Sequence, residues 1–162
     1  MSTTLAVTTD GRSRARDILA TESAFSRCSP AVIDAIIERS TLLSFKRGEI
    51  VYRQGEPGDN MMILISGSLK TSSVTEETGE FVLGYQQPGA VIGEIAVIDG
   101  GARAANVTAM EPSETVAIYR RDLLMMIGGN PLAMFGLLEG LCDRLRRTND
   151  GFFVKASYLL RL

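Results

Sequence analysis

Between Phe45 and Tyr119 glycine and proline cut the chain into short apolar runs, and this punctuation narrows the possible folds more than any other feature. The runs fall at 49–53, 61–66, 68–74, 80–86, 90–92, 105–110 and 114–119. Turn residues separate them at Glu56-Pro-Gly-Asp59, Ser66-Gly-Ser68, Glu77-Thr-Gly-Glu80, Gln87-Pro-Gly89 and Glu111-Pro-Ser113. Many short strands at near-regular spacing predict a barrel or sandwich, not a parallel α/β sheet.

Helical patterns flank this mainly β region. From Asp17 to Leu43 the periodicity is helical in two pieces. Ser29 followed by Pro30 is a helix start, and Val32, Ile33, Ile36 and Ile37 then share one face. Arg121 to Ile127 predicts a short helix stopped by Gly128 and Gly129, and Pro131 opens a long helix running towards the end of the chain. Along that helix Leu138, Leu141, Leu145, Thr148, Phe152, Lys155 and Leu159 alternate by three and four, a heptad seam interrupted by polar positions. One helix cannot bury such a seam, so a parallel two-helix dimer is expected; the alternative is a helix packed only on its own barrel. The polar stretch ending in Arg12-Ser-Arg-Ala-Arg16 reads as a solvated tail. Three segments result: a flexible tail at 1–16, a barrel with its N-terminal helices at 17–130, and a dimerisation helix at 131–162.

Residues 93–105 read Gly-Glu-Ile-Ala-Val-Ile-Asp-Gly-Gly-Ala-Arg-Ala-Ala. The carboxylate of Glu94 precedes the guanidinium of Arg103 by nine residues, with Gly100 and Gly101 turning the chain between them. A guanidinium offers phosphate oxygens a planar fork of donors, whereas an ionised carboxylate only accepts and so selects a hydroxyl. A cyclic ribose-phosphate carries both groups a few ångströms apart. The bland alternative is a surface ion pair worth ~0–1 kcal/mol.

This stretch resembles the phosphate-binding cassette of cyclic-nucleotide-binding domains, Gly-Glu-(Leu/Ile)-Ala, a short spacer, then Arg-(Ala/Ser/Thr)-Ala. Phe45-Lys-Arg-Gly-Glu-Ile-Val-Tyr-Arg-Gln-Gly-Glu-Pro-Gly-Asp59 and Met62-Ile-Leu-Ile-Ser-Gly-Ser-Leu69 resemble the opening strands of the same domain. The resemblance extends over about residues 25–162 and is nearest to bacterial regulators of the catabolite-activator (CRP/FNR) type. It implies a double-stranded β-helix, or jelly roll, with flanking helices.

It also implies roles for individual residues. Gly93 would let the backbone approach the sugar, Glu94 would accept the ribose 2′-hydroxyl, and the Ile95 and Ala104 N–H groups would join Arg103 at the phosphate. Ala104 lacks the hydroxyl found at this place in the catabolite activator (serine) and in cGMP-selective relatives (threonine), so Arg-Ala-Ala looks more like the cAMP-type cassettes of protein-kinase regulatory subunits. Ala102 departs from the usual proline, a change in loop stiffness alone. Leu83 would lie against the purine, although a lone leucine on a strand is more often core. Thr148 with Asn149 matches the pair that caps the purine in the catabolite activator, with asparagine in place of serine. The competing view of that pair is a polar notch that fixes dimer register.

The resemblance thus implies a cAMP (or cGMP) sensor and dimerisation domain of a transcription regulator, with the nucleotide as allosteric ligand and no metal. Occupancy would bias the paired helices, which needs several kcal/mol of differential affinity. In such regulators a winged helix-turn-helix follows the long helix, and this chain ends near that hinge, so DNA contact is expected only through a further C-terminal domain. A sensor domain from a channel, kinase or exchange-factor system, or a relative without nucleotide response, is the alternative. An enzyme on a cupin-like barrel is disfavoured because the chain has no histidine.

Bulk properties agree. The 162 residues are 45% hydrophobic and 22% charged, an ordinary globular balance for one domain. A net charge of −2 exerts no overall pull on nucleic acid. No window offers the ~20 apolar residues of a membrane span, and the amino terminus lacks a secretion signal, so a cytoplasmic location is expected. Cys28 and Cys142 are too few for a disulfide framework, a metal knuckle or an iron–sulfur cluster.

Overall fold

The computed structural model describes residues 3–4, 9–21 and 25–160, with side chains over 10–21 and 25–151. In chain order the elements are β1 (Thr3–Thr4), α1 (Thr9–Thr21), α2 (Pro30–Arg39), β2 (Thr41–Phe45), β3 (Ile50–Tyr52), β4 (Asn60–Ser66), β5 (Leu69–Thr75), β6 (Gly79–Gln86), β7 (Val91–Ile92), α3 (Glu94–Asp99), β8 (Asn106–Ala109), β9 (Ser113–Tyr119), α4 (Arg120–Ile127) and α5 (Pro131–Leu160). The strands form two antiparallel sheets, β1-β2-β9-β4-β7 and β3-β8-β5-β6. This is the jelly roll that the sequence implied.

β4 explains how the layers meet. Its apolar run Met61–Ile65 is buried at every position because each of its two faces meets a different core. Met61, Ile63 and Ile65 pack in the cluster with α1, α2 and α4, alongside Leu19, Ile33, Ile36 and Leu123. Met62 and Leu64 point the other way, into the space between the sheets, with Tyr52, Leu69, Ile92 and Val107. β7 hangs from this strand through Met62↔Ile92 and Ile63↔Val91, so the segment that follows β7 is anchored at the most buried place in the fold.

The strands predicted from the apolar runs are present within a residue or two, with two departures. Residues 9–16 do not fray: α1 begins at Thr9, and Ala15 is only 1% exposed in the helix-side core. The tail reading treats the arginines as solvated charges. In the fold Arg14 pairs with Glu114, and Arg16 makes a bidentate bond to Asp34 at 2.6 and 3.0 Å, which frees the opposite face to bury. The rest of the predicted tail, apart from the β1 backbone paired with β2, lies outside the described residues. The second departure is Thr41–Leu43, read as helix but forming β2. The chain is already extended at Ser40 (φ −84°, ψ 160°), and β2 pairs along its whole length with β9.

α2 starts at Pro30 as predicted, yet the Ser29 hydroxyl makes no cap bond; its carbonyl accepts from Val32 and Ile33 instead. On α5, Leu138 and Leu145 of the heptad seam are exposed, as are Phe135 and Cys142, whereas Leu141 is half-buried. The seam side chains Phe152, Lys155 and Leu159 lie outside the described residues. Because Ala15 sits against the core, Ala15→Asp should lower the unfolding free energy by about 3 kcal/mol or more, the scale for an uncompensated buried charge. Urea denaturation measures this, and a solvated tail would give no change.

Candidate functional site

The Gly93–Arg103 loop leaves β7 through Gly93, which has φ 76° and caps the short helix α3. α3 closes on Gly100, also left-handed at φ 74°, and the Asp99 carboxylate accepts from the Gly101 N–H at 2.7 Å. The returning strand is tied to the β3–β4 loop by Arg103 N–H to Glu56 O (2.8 Å) and Gly55 N–H to Arg103 O (2.9 Å). A bridge between Pro57 and Ala102 adds to this tie. The loop is thus fastened at both ends, and the side chains of Glu94 and Arg103 turn inward: they are 4% and 6% exposed.

Arg103 is held by neutral oxygens. Its Nη1 donates to Asn60 O at 2.7 Å and to Gly93 O at 3.1 Å, and its Nη2 to Asn60 Oδ1 at 3.3 Å. The Tyr52 ring lies beneath the guanidinium, 3.6 Å from centroid to Cζ. Among the described residues no carboxylate lies within ion-pair distance of Arg103. A guanidinium has five donors, and two remain: Nε–H and the second Nη2–H, which share one edge and match a pair of anionic oxygens. Among the described residues the positive charge is buried without a direct ion pair.

Glu94 is met from another element. Arg144 of α5 pairs with Glu94 Oε1 and donates to Val91 O at 2.5 Å. Glu94 Oε2 is buried with no partner, an acceptor whose desolvation is uncompensated. A hydroxyl donor is the group that would satisfy it. The loop therefore offers one unfilled acceptor and one unfilled cationic fork.

Two glycines make this packing possible. A Cβ on Gly93 would come within 2.6 Å of Arg103 Nη1 and Tyr52 Cε2, and one on Gly58 within 2.7 Å of Arg103 Cζ and Nε. Burial pushes the Tyr52 phenol well above its ordinary range, against the opposing pull of Arg103. The hydroxyl therefore stays protonated and donates to Asn60 Oδ1 at 2.7 Å.

Of the residues singled out from sequence, Gly93, Glu94 and Arg103 are brought together, while Ile95 and Ala104 lie on the exposed side of the same loop. Leu83 is not core: it is 54% exposed at a bulge of β6, where Thr71 pairs Gly84 and Ser72 pairs Val82. Thr148 and Asn149 are exposed, and among the described residues no hydrogen bond joins them or Leu83 to the loop; the Thr148 hydroxyl donates to Arg144 O in its own helix. Thr148 nonetheless stands one turn beyond Arg144, on the helix face that reaches Glu94. Tyr52, Asn60 and Arg144 were missed from sequence. The i, i+4 spacing of Arg144 and Thr148 was the one available signal for the last of these.

The profile of the cyclic nucleotide-binding domain matches residues 42–130, over half of the chain. The chain belongs to the cyclic nucleotide-binding domain family. This cyclic nucleotide-binding domain is 33% identical, over 134 residues, to a CRP-like cAMP-activated global transcriptional regulator of Mycobacterium tuberculosis; the match takes in 83% of this chain and 60% of that protein. It is similar to the catabolite activator protein of Thermus thermophilus, with a TM-score of 0.73 at 26% identity over 82% of this chain and 62% of that one. A cyclic nucleotide-binding domain from Methylobacillus flagellatus shares its fold with a TM-score of 0.82 at 22% identity, over 95% and 89% of the two chains. The domain thus spans about 60% of the length of its matched M. tuberculosis relative. Among the described residues no group of three or more His, Cys, Asp or Glu side chains could hold a metal, and no helix is long and apolar enough to cross a membrane.

Gly93 and Gly100 share nearly the same φ but differ in surroundings, since a Cβ on Gly100 meets nothing nearer than Arg120 Nη2 at 3.5 Å. Gly100→Ala should cost the backbone term alone, ~1–2 kcal/mol. Gly93→Ala should cost clearly more in the same urea titration. Equal costs would mean that Arg103 and Tyr52 move aside freely.

Proposed function

We propose that this domain senses a cyclic nucleotide, cAMP in preference to cGMP, on behalf of a CRP-type transcription regulator, and passes its occupancy to α5. The observation that carries the proposal is the pairing of an orphaned carboxylate oxygen on Glu94 with an unspent guanidinium edge on Arg103, both inside one buried loop. In this assignment the Nε and Nη2 edge of Arg103 takes two phosphate oxygens, aided by the Ile95 and Ala104 N–H groups. Glu94 Oε2 accepts the ribose 2′-hydroxyl, and Gly93 keeps the approach open. Leu83, exposed on its bulge, lies under the purine, with Thr148 and Asn149 at the purine edge. The nucleotide is an allosteric ligand, and no chemistry is done on it.

α5 is the element suited to report occupancy. Arg144 already ties it to Glu94 and to Val91 O, so a ligand that engages Glu94 acts directly on the helix contact. The exposed Leu138 and Leu145 support pairing of α5 with a second copy, a homodimer whose helix angle would follow the ligand. Contact with DNA would need a domain outside these residues.

Calorimetry of the purified chain with cAMP and cGMP tests the ligand assignment. Arg103→Leu should weaken cAMP by ~2–5 kcal/mol, the scale for stripping a buried charge of its partner; a change below about threefold, ~0.6 kcal/mol, removes Arg103 from the phosphate. Glu94→Gln should weaken cAMP far more than 2′-deoxy-cAMP. Equal losses for the two nucleotides would sink the ribose contact.

A further inference from the structure

Resting on the assignment of Arg103 to the phosphate, we propose that Tyr52 is a positioning residue that aims the free edge of Arg103 at the ligand. A guanidinium on a flexible stem presents a useful fork only if its plane and its rotation in that plane are both fixed. The Tyr52 ring backs the guanidinium, with Cζ over the ring at 3.6 Å from its centroid, and so restricts its plane. Asn60 fixes the rotation, because its backbone oxygen and its side-chain oxygen take one donor each from Nη1 and Nη2.

Asn60 can do this only if its amide presents oxygen and not nitrogen. The Tyr52 hydroxyl favours that choice: it donates to Asn60 Oδ1 at 2.7 Å, with Asn60 O further off at 3.3 Å, while Asn60 Nδ2 donates to Asp59 Oδ1 at 3.2 Å. With the amide reversed, an NH2 group would face the donor-only guanidinium, and the amide oxygen would face the Asp59 carboxylate. Tyr52 is itself held in place, buried between the sheets and paired on β3 opposite Val107 of β8. Every group that touches the guanidinium directly is neutral, so it is oriented without an ion pair. A carboxylate in place of the amide would orient the fork equally well and cancel the charge that draws the anion.

A tyrosine that merely fills the core would, when altered, weaken all nucleotides alike; one that aims the fork changes how the two phosphate oxygens are told apart. The test uses the full chain carrying Tyr52→Phe, which keeps the ring and removes the hydroxyl. It is titrated by calorimetry with cAMP and with each of the two phosphorothioate diastereomers, in which sulfur replaces one or the other exocyclic oxygen. Tyr52→Phe should weaken cAMP about 5-fold, the worth of one hydrogen bond, and should change the affinity ratio of the diastereomers by about threefold or more. In an Arg103→Lys background, where the fork is already lost, the same substitution should change cAMP affinity less than about twofold. Asn60→Ala should shift the diastereomer ratio in the same sense, and serves if Tyr52→Phe is too unstable to titrate. An unchanged ratio in these variants, or a loss in the Arg103→Lys background equal to that in the wild type, overturns the positioning role. Those outcomes leave the phosphate assignment standing, whereas wild-type affinity in Arg103→Leu removes both.

Discussion

Burying a guanidinium without a counter-ion is among the costlier things a small domain can do, and the arrangement around Arg103 is organised by that cost. Three contacts to neutral oxygens and an aromatic face make the position tenable. The supporting elements are drawn from across the fold: the end of β3, the start of β4 and the turn after β7. The positive φ of Gly93 and the bare backbone of Gly58 follow from the same demand, since any side chain there would strike the guanidinium. Elements that look unrelated in sequence are therefore held in one geometry by a single cation.

The second charged residue of the loop is treated differently. Glu94 has a cationic partner, but the partner belongs to α5, fifty residues away in sequence. Together with the bond from Arg144 to Val91 O, this makes the long helix part of the boundary of the site. Otherwise α5 is fastened near its start, through Ala133 and Leu137, which are buried, and through the pair of Arg27 with Glu139. Beyond Arg144 the described side chains are exposed. Among the described side chains, the helix is thus attached over its first half, and the contact furthest along it is with the carboxylate assigned to the sugar.

Much of this was legible from sequence because it depends on local patterns. Turn residues divide the strands, Gly100 and Gly101 turn the chain between Glu94 and Arg103, and the spacing of those two flags a polar loop. What escaped depends on contacts between distant segments. Residues 9–16 look like a polar tail until Glu114 and Asp34 supply partners for their arginines. Thr41–Leu43 continue a helical pattern until β9 offers them a strand edge. Tyr52 reads as the last apolar residue of a strand, and Asn60 falls between a turn and the next apolar run; their joint work on Arg103 has no sequence period to betray it. Leu83 looks like core from its apolar run, but β6 is the edge strand of its sheet and is exposed along most of its length.

The two-sided burial of β4 also bears on how the domain tolerates change. Between Met61 and Ile65 each side chain is assigned to one core or the other, so a slip of one residue would exchange the helix-facing set for the interior set. Length variation is excluded there and has to be absorbed elsewhere. The β5–β6 turn is the opposite case: its residues 76–78 are exposed, and its geometry is closed locally by Thr75, Thr78 and the left-handed Gly79. Insertions, including a fluorescent reporter grafted for use as a biosensor, belong in that turn.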